Sequence, residues 1–318
     1  MGQILLIGIA AGAASALLVA GVAAGTMLAV PLYYLAPLPI MVAGLAFSHW
    51  AGLIGVAVAG LGLALAFGST LLVAYLVATG GPAWVLAYAA LLARAEPAGR
   101  GGLVWLPIPA LVLLAAALAT VGTIVGLLSV ATDLETYRAA VKTAFDAFVQ
   151  AEAGSSGLAP ADAANMASLV ASVLPPMAGV LSMVTQILCL YLAGRAAMLS
   201  GRLARPWPDL AGLRLPQAAS LALAVIVAAS VAPGMVGLSA SVAGGTLLTG
   251  FALAGFAVIH FLSRGRSARP LILTAVWVAT AALGWPVLVV AVLGLIDTMF
   301  DLRTRFGTAG GPPAANDR

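Results

Sequence analysis

The feature that most constrains this chain is a series of continuous apolar runs, most of them about 20 residues long. A helix needs about 20 predominantly apolar residues to cross the roughly 30 Å hydrocarbon core of a bilayer. Within lipid the backbone must satisfy its own hydrogen bonds, so only helices and closed barrels can span it. Barrel strands alternate apolar and polar positions, whereas these runs are unbroken and rich in Ala, Leu, Val and Gly. Composition agrees. Of 318 residues 63% are hydrophobic and 8% charged, against about 25% charged in a soluble domain. The expected fold is an all-α, polytopic transmembrane helical bundle.

The first run is Ile4 to Ala24. It has no basic segment before it, so it reads as a retained first helix and not a cleaved signal. Leu6 occupies the Ser/Thr position of the myristoylation pattern. A passage broken by Pro31, Pro37 and Pro39 leads into a stretch ending near Phe47, and Ala51 to Phe67 follows. Leu71 to Arg94 is interrupted by Gly80-Gly81-Pro82, either a kink in one span or a turn between two. Either way four crossings precede Arg94, and Leu103 to Ser129 is a fifth. Later runs begin after Pro175-Pro176 (to Leu199), at Ala218 (to Val231) and at Val242 (to Leu262). Leu271 to Phe300 would be about 45 Å as one helix, so Gly284-Trp285-Pro286 at its centre suggests a hairpin of two short helices.

Four regions follow: an N-terminal membrane region (1–129), an external amphipathic segment (130–172), a C-terminal membrane region (173–300) and a disordered cytoplasmic tail (301–318). In the external segment Thr132-Asp133-Leu134-Glu135 fits a capping box. Leu134, Tyr137, Val141, Phe145 and Phe148 then form a helical apolar stripe. Gly154-Ser155-Ser156-Gly157 stops it, and a second short surface helix is expected after Pro160.

Charge sets direction. Twelve of the fourteen bases fall in four places: Arg94 and Arg100; Arg195, Arg202, Arg205 and Arg214; Arg264, Arg266 and Arg269; Arg303, Arg305 and Arg318. The external segment holds five of the ten acids (Asp133, Glu135, Asp146, Glu152 and Asp162). Lys and Arg are enriched in cytoplasmic loops. Parity then requires about ten spans, nine as the fallback, with both termini cytoplasmic. The net charge of +4 is spread over short loops and not over one basic face, so no nucleic-acid partner is expected. The single Cys189 excludes a disulfide within the chain.

Small residues mark helix contacts in lipid. Gly8, Gly12, Ala16, Ala20 and Ala24 form a ridge on the first helix, with Gly21 and Gly25 a second pair. Internal packing explains them best, with contact to a separate membrane partner, through this helix or the external segment, as the other reading. Ionisable groups within spans are functional candidates. Asp297, His260 and His49 all fall toward the cytoplasmic half, and Arg195 joins them as a candidate polar cluster. Its bland counterpart is interface histidines, a snorkelling Arg195 and an Asp297 paired with an arginine. Ser182, Thr185, Gln186 and Cys189 line one side of the sixth span, as ordinary interhelical hydrogen-bonding residues. No nucleophile–base pair, metal-ligand set or nucleotide loop is present. Neither an enzyme nor a metal or other cofactor is therefore expected.

The stretch Pro37 to Gly60, a Pro-rich loop, an apolar run, the Ser48-His49-Trp50 turn and a Gly/Ala-rich helix, resembles the early region of S-components of energy-coupling-factor vitamin transporters. The ending Leu293 to Arg303, with His260 and Phe261 before an Arg-rich loop, is similar to the YybS-type family of uncharacterised bacterial membrane proteins. The first resemblance implies small-molecule capture or translocation, and the second a multi-pass protein of the bacterial inner membrane. A non-transporting scaffold or assembly factor is the alternative.

Overall fold

The computed structural model describes residues 1–24, 29–95, 102–153 and 160–306. Gly25, Arg100, Arg318 and the Gly154–Gly157 break lie outside them. The chain is all-α apart from one short hairpin, and it divides into two compact units. Unit 1 comprises Met1–Trp207 with Ile226–Thr246, and unit 2 comprises Pro208–Val225 with Leu247–Arg318.

Unit 1 begins with α1 (Gly2–Ala20), α2 (Ala29–Tyr33), α3 (Pro37–Ala46) and α4 (His49–Phe67). Gly8 of α1 lies against Ala51 and Ile54, and Gly12 against Gly55 and Val58. Both numbers rise together, so α1 and α4 run parallel with backbones in contact. A methyl on Gly21 would meet no described atom within 4 Å. Gly68, at φ +91°, allows the reversal from α4 into α5 (Ser69–Tyr75), a conformation that costs other residues strain.

A single π-helical turn, Leu76–Gly80, joins α5 to α6 (Gly81–Ala90). The Gly80-Gly81-Pro82 interruption is therefore a bulge within one 22-residue span, and glycine is needed there. A methyl on Gly81 would overlap the Leu76 carbonyl, and one on Gly80 the Tyr75 ring. Strands β1 (Ala93–Ala95) and β2 (Leu103–Trp105) pair antiparallel before α7 (Ile108–Val130).

Residues 130–172, expected as an external segment, differ from expectation in two ways. The cap of α8 (Leu134–Ala153) is Asp133, not Thr132: its Oδ1 accepts from the Thr136 amide at 2.8 Å. That bond holds the Asp133 carboxyl below its ordinary 3.8. A depressed pKa stabilises the fold above the ordinary value and is lost as pH falls through the lowered one. Amide exchange at Thr136 should therefore quicken below about pH 4, and Asp133→Asn, a neutral cap of similar strength, should abolish that dependence. A pH-independent Thr136 in the unaltered protein would contradict this.

The second difference is α9 (Pro160–Leu199), one 40-residue helix that absorbs both the expected second surface helix and the sixth span. Pro175 and Pro176 sit in its interior, not at its start, although each removes a helical hydrogen bond. Packing holds the helix through them. Gly179 lies against Val242 and Thr246 of α11 (Gly234–Leu262), Gly245 against Val180 and Pro176, and the Thr120 and Thr246 hydroxyls meet at 2.7 Å. At 1.5 Å per residue α9 is about 60 Å long, twice the hydrocarbon core, so part of it projects. The start of α8 docks beside it, with Tyr137 buried among Leu127, Ala131 and Ala171. Its stripe then runs out, leaving Phe148 64% exposed.

Unit 2 takes the larger part of α10 (Gln217–Ala229), the second half of α11, then α12 (Arg269–Leu283), α13 (Pro286–Phe300) and α14 (Leu302–Phe306). Leu271–Phe300 is a helical hairpin, turned at Gly284 with φ +72°. At the α11–α13 crossing, Gly255 lies on the Val290 carbonyl and Gly294 on the Phe251 carbonyl. The region expected as a disordered tail opens with a helical turn, α14, which carries a buried Arg303.

Among the described residues, seven helices are long and apolar enough to cross a membrane. The other three expected spans are helices of 13, 15 and 15 residues. At about 20–23 Å they fall short of a roughly 30 Å core. The ten expected apolar segments are thus all helical, but among the described residues only seven helices are long enough to span.

Candidate binding site

The two proline-broken passages in unit 1 each leave a carbonyl without a backbone donor, and α9 supplies both. Pro82 has no N–H for the carbonyl of Ala78, four residues earlier. The Gln186 side-chain amide donates there and to the Thr79 carbonyl, at 3.3 Å each. At the α2–α3 break the Leu38 amide turns to Leu35, so Tyr34 O accepts the Cys189 thiol at 3.4 Å instead. On the other side Ser15 donates to Ala36 O at 2.7 Å and shares a 2.8 Å hydrogen bond with the Tyr75 hydroxyl. Gln186 and Cys189 of α9 thus supply donors where these helices break. Gln186→Leu is expected to cost about 1–3 kcal/mol, the penalty of an unsatisfied buried carbonyl. Unfolding in detergent indistinguishable from the parent protein would refute this account.

The same α2–α3 break contributes Tyr34 to the lining of a cavity of about 400 Å³. Val19 and Ala20 of α1, Val30 and Tyr33 of α2, and Tyr34 line one side. Phe67 and Leu71 face them from the α4–α5 turn. This is the end of unit 1 away from Arg202 and Arg205. Arg205 donates to Ala90 O and Leu106 O at 3.0 and 3.2 Å, and Arg202 stacks over Phe47. Those groups sit with His49, whereas Phe67 lies a full α4 length away, about 28 Å.

The expected polar cluster is divided between the units. In unit 1, His49 packs against Trp50 and Tyr88 while its carbonyl accepts from Trp84 Nε1 at 3.1 Å. Arg195 lies over the Trp207 ring, 5.4 Å from its centroid. In unit 2, His260 stands near Arg264 and Arg269. Asp297, 1% exposed, is 3.1 Å from Arg303 Nε. That N–H is poorly aligned and, among the described residues, neither carboxylate oxygen has another hydrogen-bond partner, so charge, not a directed bond, holds the pair. Arg303 also donates to Ala211 O and Leu213 O. Arg214 bonds Asp297 O and the Asp301 carboxylate, both at 3.0 Å, and Arg264 meets Asp209 at 2.6 Å. Arg214 and Arg264 hold the Asp301 and Asp209 carboxyls below the usual range. Three arginine-bearing loops therefore gather at one end of unit 2. The α12–α13 hairpin leaves that end and returns to it, as the arginine spacing requires.

Sequence reasoning named Asp297 as a pairing candidate but did not single out Arg303, Arg214, Tyr33 or Tyr34. The spacing Asp297, Asp301, Arg303 was the available signal for the first two. Among the described residues no group of His, Cys, Asp and Glu is arranged to hold a metal. Neither a curated protein nor a solved structure matches the chain. A family model described as "predicted membrane protein (DUF2232)" matches residues 6–298, nearly the whole length, and the chain belongs to that family of multi-pass membrane proteins.

Proposed function

We propose that this protein captures a small molecule at the end of unit 1 opposite Arg202 and Arg205, in the manner the S-component resemblance implies. The observation that carries the reading is the double role of the α2–α3 break. Tyr34 lines the cavity and its carbonyl is held by Cys189 of α9, so an occupant would bear on the central helix. Interrupted helices that line a site inside the membrane are a recurring transporter device, and about 400 Å³ lies in the usual range for ligand pockets. With the arginine loops cytoplasmic, in a bacterial inner membrane, both described ends of the chain lie inside and the cavity lies toward the opposite face. The scaffold reading draws instead on Phe148, Met166 and Leu169, exposed on α8 and the start of α9.

Native mass spectrometry of the full chain in lipid nanodiscs tests capture. A retained small-molecule adduct is expected, and Leu71→Trp, which fills the cavity, should remove it. Identical spectra from the two proteins would exclude capture at this site.

A further inference from the structure

The first charged side chain in the sequence is Arg94, so every residue lining the cavity belongs to a stretch without Asp, Glu, Lys or Arg. Among the described residues of the lining, only Tyr33 and Tyr34 carry polar side-chain atoms. The hydroxyls beneath are already engaged, Ser15 with Ala36 O and Tyr75 with Ser15. An ionised ligand entering here would give up its hydration with no countercharge to meet it, and that cost decides against it. Of the lining residues, Val22, Val30 and Phe67 are 45%, 54% and 49% exposed. Apolar side chains exposed on membrane-spanning helices face lipid, so the lining continues the lipid-facing surface.

We infer that the occupant is the hydrocarbon chain of a membrane lipid, entering sideways from the bilayer. This rests on the capture reading and names its ligand class. A chain dissolved in the membrane reaches the cavity without crossing water. Lipid is as apolar as the cavity, so selection must come from van der Waals fit and not from transfer. The rings of Tyr33, Tyr34 and Phe67 and the branched Val19 and Val30 supply a shaped wall for that fit.

Photolabelling in nanodiscs tests the inference. One arm carries a diazirine-bearing palmitoyl phosphatidylcholine and the other a diazirine-bearing geranylgeraniol, so the arms separate an acyl from an isoprenoid source. Labelling should concentrate on Ala29–Tyr33 and Leu71 and saturate with excess unlabelled compound. It should fall about tenfold in Leu71→Trp, the effect of overfilling the site. Leu65, 89% exposed elsewhere on α4, should label equally in both proteins, and Val30→Trp is the second variant should Leu71→Trp fail to fold. Cavity labelling that tracks Leu65 and never saturates would overturn the proposal. If it does so while a water-soluble adduct is lost in Leu71→Trp, capture stands and the lipid class falls. If no adduct of either kind is found, capture falls with it.

Discussion

Arg303→Ala is expected to destabilise the protein by about 3–5 kcal/mol, the usual consequence of removing one partner from a buried ion pair. Asp297 is 1% exposed and Arg303 is its only charge partner within 4 Å among the described residues. The substitution also frees two carbonyls, Ala211 and Leu213. Asp297→Asn should cost less, because the arginine keeps those two acceptors. The double variant should lose less than the sum of the singles, since the uncompensated charge is gone. Arg303→Lys should fall between, because a lysine cannot reach three acceptors in a fixed fork. Denaturant unfolding in detergent measures all four. If Arg303→Ala unfolds with the parent protein, the pair contributes nothing and Asp297 is solvated by other means.

Gly294→Val should cost about 3 kcal/mol, toward the upper end of overpacking effects. A β-carbon at Gly294 would run into the Phe251 carbonyl and the Gly255 amide nitrogen, and one at Gly255 into the Val290 carbonyl. Backbone cannot rotate away as a side chain can, so α11 and α13 would have to separate. Gly255→Val should behave alike, and the pair should be less than additive because either one opens the same crossing. Gly62, where an added methyl would meet no atom within 4 Å, is the control: Gly62→Val should stay within about 0.5 kcal/mol. Equal effects at Gly62 and Gly294 would show that helix propensity, and not the crossing, sets the loss.

Much of the architecture was legible in the sequence because it depends on local periodicity. Runs of apolar residues become helices wherever water is absent, and Gly284-Trp285-Pro286 marks a hairpin through glycine's positive φ and proline at a helix start. The arginine spacing foretold that Leu271–Phe300 returns to the side it left, and the loops at Asp209–Arg214, Arg264 and Asp297–Arg303 do meet in unit 2. Glycine and proline misled where their effect depends on neighbours. Gly80-Gly81-Pro82 bulges one helix, and Pro175-Pro176 lies within another, because packing and the lack of water hold the chain helical.

Sequence alone therefore determined the class, an all-helical multi-pass membrane protein, and the segregation of its charges. Both follow from the cost of placing polar groups in hydrocarbon, which each segment meets independently. Only the tertiary structure decided the partners. Pro82 announces a carbonyl in need of a donor, but not that Gln186, more than a hundred residues later, provides it. Asp297 announces a buried charge, but Arg303 reaches it only because Asp301 adopts a left-handed φ of +53° and turns the chain back. Which donor meets which acceptor is set by how helices cross, and that geometry is not written in any one of them.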